Sequence, residues 1–425
     1  MSEVATHLLN YNDKKRRGVS SRAYRSVIPS SNGTTFVCGN TINIDFAGNN
    51  PNTYYDFQNS YLQFTVTNTN ANAVKLEGGV GGYGLIRKIE AVVSGQTLFS
   101  IDNYSTLLDY FMDSEVNSNF KNTTGAIQFA TNSLKFSGTP IASNASKKVC
   151  LPLVLTPLYQ SSKLIPGFSR DSIRLKITLD NAQTATIGAA ADNEITISDV
   201  QMVMYNVELS DEAQSMVMAS NQGRFEIVVD DFRHSQLTVA QNVTSLNGVV
   251  GFSFSSLNRV IILHRPQGTA TTGNVVSIGN RATADLQEIS ITLNGMQYPQ
   301  RLIKEGGANP HGSEVLSESL IADRSNGIFT HQSGFNVVSF NLQNPSGTTD
   351  ALCGTYGVVI DTEALRTSDS DRLYSGLNTI GQVIAIQATY DTTPTAFVVD
   401  CYGQYTLSLL LDMSPSGTGT FSVAI

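Results

Sequence analysis

Residues 86–98 read IRKIEAVVSGQTL, and residues 286–298 read LQEISITLNGMQY. Each stretch is typical of a strand, a glycine turn and a second strand. At an offset of 200 residues they share two identities and three apolar positions, namely Ile89/Ile289, Gly95/Gly295, 86/286, 93/293 and 98/298. The match predicts that the chain repeats one structural unit.

A second pair of stretches supports the repeat. Ile173–Asp180 reads IRLKITLD and Ile384–Asp391 reads IAIQATYD, at an offset of 211. Two matches in the same order and at nearly the same offset indicate two similar domains of about 200 residues each. The predicted divisions are an N-terminal arm, a first domain, a linker helix and a second domain, over 1–30, 31–208, 209–223 and 224–425.

Alternation of apolar and polar residues dominates from residue 35 onward, which is typical of half-buried antiparallel strands. Ile173–Leu179 alternates most clearly, and the phase slips at Asp199-Val200, which predicts a bulge. Strands are also predicted at Phe252–Phe254 and Val337–Phe340. Helical spacing is confined to short pieces capped by Ser105 and Ser210 and to residues 313–322. The chain is therefore predicted to be all-β.

The chain of 425 residues has a net charge of −8, distributed unevenly. The first thirty residues carry +4, which leaves −12 for residues 31–425. This asymmetry argues against a folded surface that reads nucleic acid, and it allows a basic arm that contacts something anionic. The six basic residues of the arm are Lys14, Lys15, Arg16, Arg17, Arg22 and Arg25. A solubilising or nuclear-import tail is the alternative role for this arm.

Catalytic and metal-binding patterns are missing from the sequence. The four cysteines, at 38, 150, 353 and 401, lie far apart and are interpreted as buried thiols in a reducing compartment. The five histidines show no metal-ligand spacing, and each is interpreted as a surface residue. Neither a nucleophile elbow nor a phosphate-binding loop of the Walker type occurs. No catalytic residue, cofactor or metal is therefore predicted.

Two weaker patterns have ordinary interpretations. Gly79–Gly84 fits GxGxxG, but a strand follows it where a dinucleotide site needs a helix, so a flexible loop is favoured. Asp230-Asp231 and Asp369–Asp371 could hold a cation, although adjacent acids in loops are usually solvated.

Several stretches resemble the double jelly-roll major capsid proteins of the virophage, Polinton-like and adintovirus types, which are related more distantly to tectivirus and adenovirus capsid proteins. The stretches that carry the resemblance are Tyr61–Phe64, Gly84–Glu90, Gly95–Leu98, Ile101–Tyr104, Leu164–Gly167 and Ser375–Thr379. The similarity spans most of residues 35–425, and no single motif in it is diagnostic.

The resemblance implies two tandem eight-stranded jelly rolls, one in each predicted domain, and a non-catalytic capsid protein. Three chains would form a homotrimer that imitates a hexamer and tiles an icosahedral shell beside neighbouring capsomers and penton or minor capsid proteins. The basic arm would face the interior and contact viral DNA, an inner membrane or a minor capsid protein. The protein would lie in the virion after synthesis in the host cytoplasm or nucleus, without secretion.

A second hypothesis is a two-domain β-sandwich that binds carbohydrate or a receptor. Such a module usually exposes an aromatic platform, and a chain with 16 Tyr and no Trp supplies the preferred stacking residue poorly. An enzyme on a jelly-roll scaffold is disfavoured because the histidines show no metal-binding pattern.

Overall fold

The computed structural model describes residues 20–267, 274–306, 312–322, 335–363, 376–413 and 419–424. Lys14, Lys15, Arg16 and Arg17 of the predicted arm lie outside the described residues, as do Asp369–Asp371, His7, His311 and His331. Among the described residues, no helix is long and apolar enough to cross a membrane.

The described strands are β1 (Ser21–Pro29), β2 (Thr35–Val37), β3 (Thr41–Phe46), β4 (Thr53–Asn68), β5 (Val74–Leu76), β6 (Ile86–Val93), β7 (Gln96–Ile101), β8 (Thr139–Ile141), β9 (Ser146–Leu151), β10 (Ile165–Pro166), β11 (Ile173–Leu179), β12 (Thr186–Ile187), β13 (Ile195–Leu209), β14 (Arg224–Val239), β15 (Ser245–Val250), β16 (Leu257–Pro266), β17 (Leu286–Leu293), β18 (Met296–Lys304), β19 (Val358–Asp361), β20 (Ile384–Tyr390), β21 (Phe397–Asp412) and β22 (Phe421–Ala424).

The α-helices are short, and they span Tyr104–Glu115, Ser118–Asn122, Thr124–Gln128, Pro157–Gln160, Ala182–Ala185, Asp211–Ser220, Ser313–Ala322 and Val337–Phe340. Single 3₁₀ turns occupy Gly81–Leu85, Asp192–Glu194 and Asp350–Leu352.

The strands that precede Asp211–Ser220 build the first roll from two main antiparallel sheets. One sheet has the order β1-β13-β4-β10, with β2 also paired to β13 and β9 to β4. The other has the order β3-β11-β6-β7, and a small third sheet joins β12, β5 and β8. The two main sheets contribute their buried alternate residues, such as Ile44, Phe64 and Ile177, to one hydrophobic core.

The strands after the linker helix repeat this plan as the second roll. One sheet has the order β14-β21-β16-β19, with β22 paired to β21, and the other has the order β15-β20-β17-β18. The predicted sequence matches occupy equivalent places in corresponding sheets. Strands β7 and β18 are the edge strands, β6 and β17 pair with them, and β11 and β20 are the next strands inward. The turns agree in detail, since Ser94-Gly95 and Asn294-Gly295 all have positive φ. The two-roll fold predicted from sequence is therefore confirmed.

Two predicted strands are wrong. Val337–Phe340 is a short helix, in which Asn336 accepts a hydrogen bond from the Val338 amide and only Phe340 is buried. The phenylalanines at 252 and 254 are buried beside the sheet, but the strand begins only at Leu257. The phenylalanines are buried in both places, but neither segment forms a strand.

The predicted helices and the bulge are present, but one predicted helix cap is wrong. Ser210 caps Asp211–Ser220 by accepting from the Ala213 amide, as predicted. The helix Tyr104–Glu115 is also present, but its cap is Asn103 in a left-handed conformation, so the predicted cap at Ser105 is wrong. The bulge at Asp199-Val200 is confirmed by a register shift between Ser198 and Gln201.

The sheet begins inside the predicted arm. Ser21–Pro29 pairs along its whole length with Gln201–Leu209 of β13, so the last part of the predicted arm forms a strand of the first roll. This strand is exposed on most residues and shows no apolar alternation, which is why the sequence pattern did not indicate it.

Candidate functional site

The two described residues of the predicted arm lie on β1. The Arg22 guanidinium is 2.7 Å from Glu208 on β13 and lies 5.1 Å from the centre of the Tyr24 ring. Arg25 lies on the same exposed strand, opposite Tyr205. The structure thus places Arg22 and Arg25 in the sheet, three residues apart, and Arg22 already has an acidic neighbour.

The seam between the two rolls is built on the helix Tyr104–Glu115. Leu107, Leu108 and Phe111 face the hydrophobic core. Asp109 and Asp113 are four residues apart and therefore share another side of the helix, where both are buried. Buried carboxylates need charged or hydrogen-bonding partners, and these come from both rolls.

Three cations surround the two aspartates. The Lys135 ammonium lies 2.7 Å from Asp109 Oδ2 and 2.6 Å from Asp113 Oδ2, and it also donates to the Gly279 carbonyl at 2.9 Å. The Lys121 ammonium lies 2.7 Å from Asp113 Oδ1. Arg281, from the second roll, pairs with Asp109 and lies 2.5 Å from Asp113 Oδ2. The network therefore joins residues that are up to 172 positions apart in the chain.

Arg281 is held by backbone oxygens as well. Its Nε donates to the Tyr356 carbonyl at 3.0 Å, and its Nη2 donates to the Thr355 carbonyl at 3.2 Å. The side chain is fully buried, so this guanidinium is solvated entirely by the protein. A buried ion pair offsets its desolvation cost only with such a complete set of partners.

The pKa shifts follow from this geometry. Burial alone would raise the pKa of Asp113, but Lys121, Lys135 and Arg281 together hold it well below its usual value. Burial opposes the charge of Lys135 and Arg281, yet the two aspartates raise the pKa of both cations. Glu77, which accepts from the Gly279 amide at 2.9 Å, behaves differently: burial and then Asp109 raise its pKa to about 8.

A second polar cluster lies at the seam around Asp400. The Asp400 carboxylate lies 2.9 Å from His234 Nε2 and 2.6 Å from Arg265 Nε, both within the second roll. Asn103, at the start of the seam helix, donates to the same carboxylate at 3.2 Å, and the Tyr402 hydroxyl donates to the Asn103 carbonyl at 3.0 Å. Although burial opposes it, the Arg265 charge lowers the pKa of Asp400.

The Gly79–Gly84 stretch also belongs to this region. All of its residues are buried, so the predicted flexible loop is wrong. A Cβ atom on Gly79 would collide with Asp109 Oδ1, and Gly81 has a φ of +57°. The absence of a side chain at Gly79 lets the backbone lie against the Asp109 carboxylate.

Two further interpretations from the sequence are corrected. Asp230 and Asp231 are not solvated loop acids, because both are buried on β14, where Asp231 accepts from the Tyr405 hydroxyl at 2.5 Å. Burial raises the pKa of Asp231 to about 7. His264 is not a surface residue: it is fully buried, its Nε2 is 2.9 Å from the Tyr390 hydroxyl, and burial lowers its pKa to about 4.

The cysteines and acids give no metal centre within the described part of the chain. All four cysteines are free thiols, and Cys38, Cys353 and Cys401 are buried as predicted. No group of three or more His, Cys, Asp or Glu side chains is arranged there to hold an ion. In the described seam, Asp109 and Asp113 are instead paired with Lys121, Lys135 and Arg281, and these pairs join residues of the two rolls.

The seam residues were not predicted from the sequence. Asp109 and Asp113 carry the one signal that could have found them, since two acids four residues apart interrupt an otherwise apolar helix. Their partners Lys135 and Arg281 have no local pattern, because only the packing of the rolls brings them to the helix.

Comparisons with known proteins agree with this architecture. No protein-family model and no curated protein matches the sequence significantly. Among solved structures, PBCV-1 VP54, fitted into a reconstruction of the virophage Sputnik, is similar with a TM-score of 0.62 at 14% identity, covering 98% of this chain and 99% of that one.

Two further solved structures match over a similar extent. The Faustovirus major capsid protein is similar with a TM-score of 0.63 at 9% identity, covering 96% of this chain and 94% of its own. The mavirus major capsid protein has a TM-score of 0.55 at 10% identity, covering 100% and 95%. The chain therefore has the double jelly-roll fold of these major capsid proteins.

Proposed function

We propose that this chain is a major capsid protein whose homotrimers tile an icosahedral viral shell. The observation that carries the proposal is the pair of equivalent rolls, since the same two-roll fold covers nearly the whole length of three viral major capsid proteins. Three copies of two similar rolls approximate six-fold symmetry, which suits a trimer to a hexagonal position in a shell.

The paired charges of the seam fit a structural role. A trimer imitates a hexamer only if both rolls of each chain keep one relative orientation. Arg281 and Lys135 meet Asp109 and Asp113 across the seam, and each ion pair needs defined geometry to offset its desolvation. We infer that the protein acts in the virion without catalysis and without a cofactor.

The residues that precede β1 are proposed to contact the shell interior. They include Lys14, Lys15, Arg16 and Arg17. The chain enters β1 beside the linker helix, where the Ser210 amide donates to the Ser20 carbonyl at 3.0 Å. Four consecutive cations in the sequence ahead of β1 suit an anionic partner, either genome or inner membrane, or an acidic minor capsid protein.

The assembly is tested by multi-angle light scattering on the purified full chain. A trimer should give three times the chain mass of 45.8 kDa. Negative-stain electron microscopy should show compact particles with a hexagonal outline. A monomer that persists across protein concentrations would contradict the proposal.

The arm is tested separately with a variant in which Lys14, Lys15, Arg16 and Arg17 are all changed to Gln. The trimer should remain intact, because these residues precede the first strand. Binding to duplex DNA and to vesicles containing anionic lipid should be measured at several salt concentrations. Four phosphate contacts would give a log–log salt slope of about −3.6 that the variant loses.

The two binding partners give distinct results in this assay. Vesicle binding without DNA binding would identify a membrane contact, and the reverse would identify the genome. If neither ligand distinguishes the variant from the parent, the arm does not bind an anionic polymer or surface.

A further inference from the structure

A cavity lies where the chain passes from the first roll to the second. Its volume is about 390 Å³, within the range of about 300–1,000 Å³ that small-molecule sites usually have. Strands β4 and β13 of the first roll, the linker helix Asp211–Ser220 and strand β14 of the second roll all contribute to its wall. The apolar residues of the wall are Leu164, Pro166, Leu209, Val217, Phe225 and Ile227.

The inner end of the cavity is apolar. Ile227 is buried, and Val217 and Phe225 pack against the hydrophobic core. The Tyr54 hydroxyl donates to the Gln214 side-chain oxygen at 2.9 Å, so its polar group already has a partner. Walls of this kind offer water few hydrogen bonds, and apolar cavities in proteins take up hydrocarbon ligands.

Aromatic packing between the rolls holds the inner wall in place. The Phe168 ring packs edge-on against Tyr54 of β4 at 5.3 Å between ring centres. It packs in the same way against Phe225 of β14 at 5.2 Å. The cavity is therefore formed by the contact between the two rolls before any ligand arrives.

The outer end of the cavity carries a positive charge. Lys163 is exposed, and its ammonium donates to the Glu226 carbonyl at 3.1 Å. An ammonium has three N–H donors. Among the described residues the structure gives it this one contact, which leaves donors for a ligand at the rim.

Glu226 is the one acid among the described residues of the wall. Successive side chains of a strand point to opposite faces, so Glu226 projects away from Phe225 and Ile227. Its Oε1 accepts from the Ser408 hydroxyl of β21 at 2.8 Å. The carboxylate is therefore held away from the apolar wall, and Lys163 decides the charge preference of the rim.

We propose that this cavity binds a single-chain amphiphile with an anionic head group, of the fatty-acid class. The hydrocarbon tail lies against Val217, Phe225 and Ile227, and the head group pairs with Lys163. The ligand contacts both rolls and the linker helix, so its binding stabilises their packing. The cavity is complete within one chain, and the site does not depend on the trimer.

The tail is tested by isothermal titration calorimetry of the purified full chain with octanoate, decanoate and dodecanoate, each below its micelle concentration. Affinity should rise about fourfold for each added methylene that the cavity buries. The rise should end when the tail becomes longer than the cavity is deep, because further methylenes stay in water.

The head group is tested by Lys163→Gln. This variant should bind decanoate about two- to fivefold more weakly, as expected for the loss of an exposed ion pair, and should bind decanol as the parent does. Lys148→Gln removes an exposed lysine from β9, outside the cavity, and should change neither affinity.

The position of the tail is tested by Val217→Phe, which fills the space that the tail needs. The matched control is Met216→Phe, because Met216 is 67% exposed on the same helix and lies outside the wall. V217F should lose saturable binding and M216F should keep it, while both keep the parent's circular dichroism.

Photolabelling of the unaltered chain needs no substitution. Dodecanoate that carries a diazirine near its tail end should, on irradiation, label peptides that contain Val217, Phe225 or Ile227. Unlabelled dodecanoate should compete with this labelling.

Flotation with vesicles that contain anionic lipid separates two sources of the ligand. Weaker flotation of V217F than of M216F identifies a lipid in a membrane, and equal flotation identifies a free fatty acid.

Several results would overturn the site. They are a parent chain without saturable binding, an affinity that is independent of tail length, a V217F variant that binds like M216F, and labelling confined to other segments. Equal effects of K163Q on decanoate and decanol would overturn the contact assigned to the head group. A monomeric parent that binds decanoate refutes the trimer and leaves this site standing.

Discussion

Replacing Arg281 tests whether the buried charges hold the rolls together. Arg281→Met keeps much of the apolar length of the side chain and removes the guanidinium that meets Asp109 and Asp113. Both carboxylates then remain buried, with Lys121 and Lys135 as their only cations of the described network. Breaking a buried pair by removing one partner costs about 3–5 kcal/mol, and the remaining lysines favour the lower end, about 3 kcal/mol.

The expected fall in melting temperature follows from the unfolding entropy. At about 2.1 cal/mol/K per residue, a loss of about 3 kcal/mol lowers Tm by about 3.5 °C if the whole chain unfolds as one unit. If one roll of about 200 residues unfolds by itself, the fall is about 7 °C. Differential scanning calorimetry at fixed protein concentration distinguishes the two cases, because oligomer dissociation also shifts Tm.

An exposed arginine provides the control. Arg224 lies 3.5 Å from Asp412 with its side chain 65% exposed, so Arg224→Met should cost less than about 1 kcal/mol. Adding Asp109→Asn to the R281M variant removes a carboxylate that has lost one of its two cations and keeps only Lys135. The double variant should therefore lose less stability than the sum of the two single losses. Two results would refute the role given to the seam. One is an R281M protein with the same Tm as the R224M control, and the other is a double variant whose loss of stability equals the sum of the two single losses.

Two further predictions concern the same seam. Because burial and Asp109 raise the pKa of Glu77 to about 8, above an unfolded value of about 4.3, the folded chain holds a proton between these pH values that the unfolded chain has released. The contribution of Glu77 to stability therefore falls as pH rises from 5 to 8, and the Tm of Glu77→Gln relative to the parent should increase over that range; a constant difference would contradict this. Gly79→Ala should cost about 1–3 kcal/mol by forcing a Cβ atom onto Asp109, whereas Gly251→Ala, with nothing within 4 Å of its Cβ, should be neutral in thermal melting. Equal melting of the two alanine variants would show that the seam tolerates displacement of Asp109.

The segments that were predicted wrongly share a physical cause. Strand β1 was not predicted, because alternation of apolar and polar residues indicates a strand only when one of its faces is buried. Most residues of β1 are exposed in the single chain. Val337–Phe340 has strand-forming residues, yet Val337 and Val338 are exposed and only Phe340 packs, against Tyr356. In both places tertiary contacts, which a local pattern does not contain, decided the conformation.

The buried polar residues show the same limit. His264 and Asp231 have no pattern that separates them from surface residues, and only the sheets that enclose them make their burial visible. The GxGxxG stretch was correctly separated from dinucleotide sites by the strand that follows it, but its contact with Asp109 depends on a helix twenty-five residues further along the chain.

The sequence by itself determined the all-β class, the duplication and the turns, because alternation and glycine positions are local consequences of strand and hairpin geometry. It also determined the charge asymmetry between the first thirty residues and the rest. The tertiary structure alone decided how the rolls are joined. Asp109 meets Arg281 across 172 positions of sequence, and that ion pair exists only after both rolls have folded and packed. The same packing covers the middle of β14 and leaves most of β1 exposed, although the two strands hold equivalent places in their rolls.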